Sequence, residues 1–156
     1  MFEGEVVSIH IAADEGDATH AVDEIRAVAG RGLEGDRYFN HSGKFSHKEN
    51  PGREVTLIES EAIDALGRDY GVELGLGDSR RNIVTRGVPL NHLIGREFKV
   101  GTTVVLEGIR LCEPCGYLEG LTTSGVKRGL AHRGGLNARI VSEGTIRRGD
   151  TITLSN

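Results

Sequence analysis

Both cysteines of the chain lie in the stretch Leu111-Cys112-Glu113-Pro114-Cys115-Gly116, directly after an apolar run from Thr103 to Leu111. This run predicts a buried β-strand, because short runs rich in valine, isoleucine and leucine are typical of strands covered on both faces. Two cysteines three residues apart at the end of a strand can bind a soft metal or cycle as a disulfide. One of them can also stay a free thiolate that acts as a ligand or a nucleophile.

Short extended segments separated by glycines make up most of the remaining sequence. The chain has 23 glycines and only 3 prolines, which indicates many tight turns. The segments predicted to be strands are 6–11, 21–29, 53–58, 79–85, 97–100, 103–111, 137–141 and 151–154. Strands and helices do not alternate regularly, so the sequence predicts one mainly β, barrel-like domain over residues 1–156 rather than a doubly wound sheet.

One clear helix is predicted from Ser60 to Tyr70, with shorter helical turns at 89–93 and 126–132. Ser60 is a suitable N-cap residue for this helix, and Gly71 is a suitable stop. Apolar side chains recur at helical spacing on one face, at Ala62, Ile63, Leu66 and Tyr70. The helix is therefore expected to have a structural role.

The string Gly30-Arg31-Gly32-Leu33-Glu34-Gly35 matches the G-x-G-x-x-G fingerprint of dinucleotide-binding proteins. In that fingerprint the glycines open a helix whose N-terminus holds a pyrophosphate. Residues 36–43 do not read as a helix, so we reject the match. The glycines instead predict a turn that presents Asp36 and Arg37.

Length and composition narrow the class of protein. A chain of 156 residues is long enough to form one core without disulfides. The sequence shows neither a signal peptide nor an apolar run that could span a membrane, so a cytoplasmic protein without a membrane partner is expected. In that compartment, closely spaced cysteines are more often reactive or metal-binding than structural.

Charge is distributed unevenly along the chain. Residues 1–78 carry 7 Lys/Arg and 17 Asp/Glu, whereas residues 79–148 carry 12 Lys/Arg and 5 Asp/Glu. The basic half contains the cysteines, so a small anion held beside a thiol is one expectation, and a solvated face with scattered ion pairs is the other. Nucleic acid is not expected as a partner, because only 4% of the residues are aromatic and no basic stripe is sustained.

Two further functions of the cysteine pair stay open at this point. With His41 and His47 from a polar loop, the cysteines would make a Cys2His2 zinc site, although their order and spacing are not those of a compact zinc module. The string Cys112-Glu113-Pro114-Cys115 is also close to a thioredoxin-type dithiol motif. That motif requires a helix at its first cysteine, and Pro114 with Gly116 is expected to prevent helix formation.

An ordered set of strings over nearly the whole chain resembles the MOSC domain, a family named for the C-terminal domain of molybdenum-cofactor sulfurase. The strings are Gly32-Leu33-Glu34-Gly35-Asp36-Arg37, Val55-Thr56-Leu57-Ile58, Arg81-Asn82-Ile83-Val84-Thr85 with Gly87-Val88 and Leu90, Leu93-Ile94-Gly95-Arg96-Glu97-Phe98, Cys112-Glu113-Pro114-Cys115, His132-Arg133-Gly134-Gly135-Leu136-Asn137-Ala138-Arg139-Ile140, and Ile146 with Gly149-Asp150.

The resemblance implies a β-barrel and an association with the molybdenum cofactor, whose metal sits on a pterin dithiolene that carries a phosphate. It implies that Cys115 is the functional cysteine, as a thiolate ligand to molybdenum or as a carrier of persulfide sulfur. Contacts to the cofactor are implied for three arginines and one asparagine: Arg37, Arg81, Asn82 and Arg133. Asp36 is expected to orient its neighbouring arginine, and His132 is a candidate proton donor.

Two functions from different classes follow from this resemblance. In the first, the chain is an enzyme in which molybdenum held by Cys115 accepts an oxygen atom from a small N-hydroxylated substrate. In the second, it is a carrier that holds the cofactor, or sulfur on Cys115, and delivers it to another protein. The pyridoxal-phosphate desulfurase and iron–sulfur domains of larger relatives are not expected in this sequence, so electrons or sulfur are expected from a separate partner protein.

Overall fold

We analysed a computed structural model that describes residues 1–14, 16–40, 53–114, 116–122 and 124–155. The functional cysteine of the sequence analysis, Cys115, and the histidines of the zinc hypothesis, His41 and His47, lie outside these ranges. The described strands are β1 (Glu3–Ile11), β2 (His20–Val22), β3 (Glu24–Val28), β4 (Gly32–Leu33), β5 (Val55–Glu59), β6 (Ile83–Arg86), β7 (Glu97–Val100), β8 (Val104–Leu111), β9 (Leu136–Ser142), β10 (Gly144–Arg147) and β11 (Thr151–Leu154).

Seven of the described strands close into a barrel. Their order is β11-β7-β8-β9-β5-β6-β1, and the pairing of β1 with β11 joins the two ends. The pairing of β5 with β6 is parallel, while the other pairings around the barrel are antiparallel. The predicted mainly β, barrel-like fold is therefore confirmed.

Two apolar clusters cover the two faces of β5, which explains why its sequence is apolar without alternation. Leu57 packs inside the barrel with Leu106 and Leu136. The neighbouring residue Ile58 points the other way and packs with Leu66 of the helix outside. The predicted strand at 103–111 is also observed, as β8. Within it, a Cβ at position 108 would collide with the backbone oxygen of Leu93, so Gly108 permits this close approach.

The described ranges contain three helices, which pack outside the barrel: α1 (Ser60–Tyr70), α2 (Gly116–Leu121) and α3 (Val126–Gly129). Residues Leu90–Leu93 form a 3-10 turn. Helix α1 ends at Gly71, whose φ of 66° confirms the predicted stop. Its predicted cap is wrong, because Glu59 occupies the N-cap position and the Ser60 hydroxyl donates to the Glu61 carboxylate instead. On the predicted apolar face, Ala62, Ile63 and Leu66 are buried, whereas Tyr70 is 45% exposed.

Other differences concern elements that depend on distant partners. The predicted strand 21–29 is two strands, and β10 was not predicted. The strands β10, β3 and β4 form a separate three-stranded sheet, so their pairing is not encoded by local periodicity. The expectation that Pro114 and Gly116 prevent helix formation is wrong at Gly116, where α2 begins, but no helix covers residues 112–114 at the first cysteine. A proline placed just before a helix removes no intrahelical hydrogen bond.

Candidate functional site

The backbone of β9 and its preceding glycines hold the first part of the cysteine stretch. The Cys112 amide donates to the Gly135 carbonyl oxygen at 2.8 Å, which continues the β8–β9 pairing beyond Leu111. A Cβ on Gly134 would lie 2.5 Å from the Cys112 carbonyl oxygen and 2.7 Å from Pro114 Cδ. The motif Gly134-Gly135 therefore allows two backbone segments to approach more closely than residues with side chains would permit.

The Arg81 side chain ties these two segments together. Its Nε donates to the Gly134 carbonyl oxygen at 2.8 Å, and its Nη2 donates to the Cys112 carbonyl oxygen at 2.9 Å. A third bond joins Nη1 to the Ser79 carbonyl oxygen at 3.4 Å. The side chain is buried, so Arg81 places a positive charge directly against the backbone of the cysteine stretch. Described residues accept hydrogen bonds from only three of the five N–H groups of this guanidinium.

Asn82, the next residue, points into the barrel wall. Its side-chain oxygen accepts hydrogen bonds from the Thr56 amide at 3.0 Å and from the Thr56 hydroxyl at 3.1 Å. Its side-chain nitrogen donates to the His10 carbonyl oxygen at 3.1 Å. Asn82 has no exposed surface. The structure thus gives it a role in joining β1, β5 and β6, and a direct contact with the cofactor stays a prediction that this geometry does not favour.

Asp36 and Arg37 form a buried ion pair, with 3.1 Å between Asp36 Oδ1 and Arg37 Nη1. The same carboxylate oxygen accepts the Ala12 amide. Arg37 Nη2 donates to the Arg80 carbonyl oxygen at 3.1 Å, and its guanidinium lies 4.7 Å from the centre of the Tyr38 ring. The expected orienting function of Asp36 agrees with these contacts. Arg37 therefore contacts the backbone of Arg80, the residue immediately before Arg81.

His132 contacts Glu113, a residue of the cysteine stretch, at the protein surface. His132 Nδ1 lies 3.2 Å from Glu113 Oε2, and the His132 amide donates to Glu113 Oε1 at 2.8 Å. The His132 side chain is 88% exposed, and its backbone has a φ of 63°, which non-glycine residues rarely adopt. The candidate proton donor is thus open to solvent, and it contacts the residue that stands two positions before Cys115 in the chain.

Arg133 lies on the side that faces α1. Its Nε donates to the Gly129 carbonyl oxygen at 3.1 Å, and its Nη2 lies 3.5 Å from the Asp69 carboxylate. Arg68 also binds this carboxylate and is the main cause of an Asp69 pKa of about 2. The described contacts of Arg133 connect α1 with α3, whereas those of Arg81 reach the cysteine stretch.

Two arginines that were not selected from the sequence also bear on Cys112: Arg110 stands two residues before it, and its charge affects the pKa of Arg53. Burial lowers the pKa of Arg53, the positive charge of Arg110 lowers it further, and Tyr38 and Cys112 act in the opposite direction. Arg53 therefore interacts electrostatically with each of these three groups. In the β8–β9 pairing, Arg110 stands opposite Asn137, whose side-chain nitrogen Nδ2 donates to the Leu111 carbonyl oxygen.

A sequence signal for these arginines was present but weak. Arg110 occurs two residues before Cys112, and Arg53 occurs two residues before Val55, the first residue of β5. Only the pairing of β5 with β9 and of β9 with β8 brings the two together. The structure thus brings Arg53, Arg81 and Arg110 to the cysteine stretch. In the part of the chain that is described, it shows no group of three metal-binding side chains and no helix able to cross a membrane.

Solved structures with the same fold support this architecture. The YuaD protein of Bacillus subtilis matches with a TM-score of 0.81 and 19% identity, over 99% of this chain and 98% of that one. The YiiM protein of Geobacillus stearothermophilus matches with a TM-score of 0.74 and 15% identity, over 98% and 75%. YiiM of Escherichia coli matches with a TM-score of 0.68 and 17% identity, over 100% and 70%. At these identities the likeness shows the fold alone.

A search of curated proteins gives no significant match to this chain. A family model described as the MOSC domain matches residues 44–153, well over half of the sequence. This range contains the cysteine stretch, the Arg81-Asn82 pair and the Gly134-Gly135 motif, whose contacts with one another are described above. The chain therefore belongs to the MOSC domain family.

Proposed function

We propose that this protein binds the molybdenum cofactor with Cys115 as the metal ligand and reduces small N-hydroxylated compounds. The observation that carries the proposal is the concentration of guanidinium groups at the cysteine stretch of a MOSC domain. Arg81 is bonded to the Cys112 backbone, and Arg53 interacts electrostatically with Cys112 and with Arg110, which stands two residues before that cysteine. These residues would face a cofactor that carries a phosphate group.

Two features support such a cofactor, one from the described residues and one from the sequence. Arg53 and Arg110 repel each other, and Arg53 is partly buried, so an anion beside them would offset the repulsion. Arginine also binds phosphate oxygens through two parallel hydrogen bonds. The second is the thiolate proposed for Cys115, which is a soft donor suited to molybdenum. When bound, the cofactor would supply two-electron chemistry at molybdenum.

The reaction requires a supply of protons and electrons. Reduction of an N-hydroxylated amine breaks the N–O bond, consumes two protons and two electrons, and releases an amine and water. His132 is in contact with Glu113 and open to solvent, so we assign it to proton delivery. The electrons would come from a separate electron-transfer protein.

The first test is elemental analysis of molybdenum, zinc and sulfur in protein purified without oxidants from cells that make the cofactor. The proposal expects about one molybdenum per chain, from the single metal ligand assigned here. Cys115→Ser should lose this molybdenum, whereas Cys112→Ser should retain most of it. Retention of full molybdenum by Cys115→Ser would disprove the assignment of Cys115.

The alternative function is a sulfur carrier with a persulfide on Cys115, supplied by a separate sulfur-donor protein. Cys112 is a free cysteine in the described structure, and it is half-buried. A carrier would contain cyanide-releasable sulfur without molybdenum, and Cys115→Ser would lose only that sulfur. If the substitution changed neither molybdenum nor releasable sulfur, both functions would be wrong. Zinc at one per chain would instead support the structural metal site.

A further inference from the structure

A cavity of about 410 Å³ lies between three loops on the side of the barrel near the end of β1. The loop between β1 and β2 contributes Thr19, the loop between α1 and β6 contributes most of the wall, and Thr122 lies at the end of α2. The second loop supplies the residues that determine the chemistry: Glu73, Leu74, Gly77, Asp78 and Arg80. The size of the cavity is in the range of pockets that hold small organic ligands.

The cavity carries more negative than positive charge. Glu73 and Asp78 are exposed at its wall, and neither forms an ion pair with any residue in the described ranges. Asp78 Oδ2 accepts the Gly75 amide at 2.8 Å, which fixes the direction of its carboxylate. Arg80 is the cationic residue of the lining, and its Nη1 donates to the Asp17 carbonyl oxygen.

The floor of the cavity is preformed by packing against the barrel. The Thr19 hydroxyl donates to the Gly77 carbonyl oxygen at 2.8 Å and joins two of the three loops. A Cβ on Gly77 would lie 2.7 Å from His10 Nδ1, so the glycine lets the loop rest directly on the buried histidine. Burial lowers the pKa of His10 more than the negative charge of Asp78 raises it. The imidazole is therefore neutral at pH 7 and does not offset the negative charge of the two carboxylates.

We propose that this cavity binds a small organic cation of the amine, amidine or guanidine type. Glu73 and Asp78 provide the charge partners, and the half-buried Leu74 provides an apolar contact for the carbon skeleton of the ligand. A metal ion fits less well, because the described residues place no three carboxylates, histidines or cysteines together. The site shares no residue with the proposed cofactor contacts, and cation binding does not require molybdenum.

Benzamidine, benzamide and benzoate give a test, since they have nearly the same shape and carry a positive charge, no charge and a negative charge. Binding to the protein is measured by isothermal titration calorimetry and by amide chemical shifts. We expect saturable binding of benzamidine with shifts at residues 16–19 and 73–80, about tenfold weaker binding of benzamide, and no binding of benzoate. Equal affinity for benzamidine and benzamide, or no saturable benzamidine binding, would overturn the proposal.

Charge-removing variants identify the residues responsible. Glu73→Gln and Asp78→Asn should each weaken benzamidine binding about threefold, and the double variant about tenfold, as expected for exposed charge pairs. The Asp78→Asn side chain keeps an oxygen that can accept the Gly75 amide, so the loop should retain its shape. Glu3→Gln changes the net charge equally at the start of β1 and serves as the control. A double variant that binds as well as the control would refute the assignment, whatever the molybdenum content.

Discussion

Two adjacent residues, Arg81 and Asn82, serve two regions that are built in different ways. Asn82, Thr56 and the His10 carbonyl form what we call the wall anchor, in which the side-chain oxygen and nitrogen of Asn82 are both engaged inside the barrel wall. The cysteine stretch is instead held by Arg81 through backbone carbonyls, and it borders the exposed pair Glu113 and His132. The comparison shows that one motif contributes stability through one residue and site geometry through the next.

The largest effect is expected from Asn82→Ala, which removes the centre of the wall anchor. The Thr56 amide and hydroxyl and the His10 carbonyl would lose their partner in a region that water does not reach. Each unsatisfied buried group is costly, so the free energy of unfolding should fall by about 2–4 kcal/mol. Urea denaturation measures this change.

Asn137→Ala is the matched control for the wall anchor. Asn137 is half-buried, and its described hydrogen bond to the Leu111 carbonyl is long, at 3.5 Å. Its replacement should cost less than about 1 kcal/mol. If Asn82→Ala cost no more than Asn137→Ala, the wall anchor would not be a centre of stability, and Asn82 would become available again as a ligand-binding residue.

The second effect concerns the close approach in the cysteine stretch. Gly134→Ala would place a methyl group 2.5 Å from the Cys112 carbonyl oxygen and 2.7 Å from Pro114 Cδ, so the two segments must separate. Overpacking of this kind costs about 1–3 kcal/mol. In a Cys115→Ser background, the reaction of Cys112 with a thiol reagent should also become faster. Gly120→Ala, where the new methyl group meets no other segment within 4 Å, should not lower the free energy of unfolding and should leave the thiol reaction unchanged.

The third effect is expected from Arg81→Lys, which keeps the charge but loses the planar group that bonds two carbonyls. Loss of the bonds to Gly134 and Cys112 should lower the free energy of unfolding by about 1–2 kcal/mol. Thiol reactivity of Cys112 should rise as in the preceding variant. Arg133→Lys, on the α1 side, is the control and should leave Cys112 reactivity unchanged. Equal effects of the two variants would mean that Arg81 does not specifically position the cysteine stretch.

The barrel could be predicted because its main elements are encoded by local sequence patterns. The apolar run of β8 and the helix α1 with its stop at Gly71 are encoded by neighbouring residues, and both were observed. Local patterns do not determine the exposure of each residue, since Tyr70 shares the apolar face of α1 with buried residues and is itself 45% exposed. The separate sheet of β3, β4 and β10 escaped prediction because β10 pairs with β3 only across a long sequence distance.

The site was predictable in its motifs but not in its contacts. The cysteine stretch and Arg81 were selected from sequence, and the structure brings them together. The same reasoning could not separate Arg81 from Asn82, because adjacent residues on an extended chain point in opposite directions and only the sheet decides which faces inward. Arg53 is joined to Arg110 by strand pairing alone, and no spacing in the sequence indicates that.

The smallest effect concerns His10. Its carbonyl belongs to the wall anchor, and its side chain packs under Gly77 in the loop between α1 and β6. Burial lowers its pKa in the folded protein below the ordinary value of 6.5. As the pH falls below about 6.5, the unfolded chain therefore takes up a proton that the folded protein does not. The free energy of unfolding should decrease on acidification until the pH reaches the folded-state pKa, and should be unaffected by this group above about pH 7.

His10→Gln should remove that part of the pH dependence. Urea midpoints of both proteins would be compared between about pH 7.5 and about pH 5.5, that is, about one unit either side of the ordinary histidine pKa. The variant loses the 2.8 Å contact between Ser8 Oγ and His10 Nε2, so only the slope against pH is informative, not the absolute stability. Burial also raises the pKa of Glu54 and Glu59, but both carboxyls are present in each protein and cancel in the difference. If the slopes of His10→Gln and wild type were equal, His10 would bind its proton equally well folded and unfolded, and the neutral floor assigned to the cavity would be wrong.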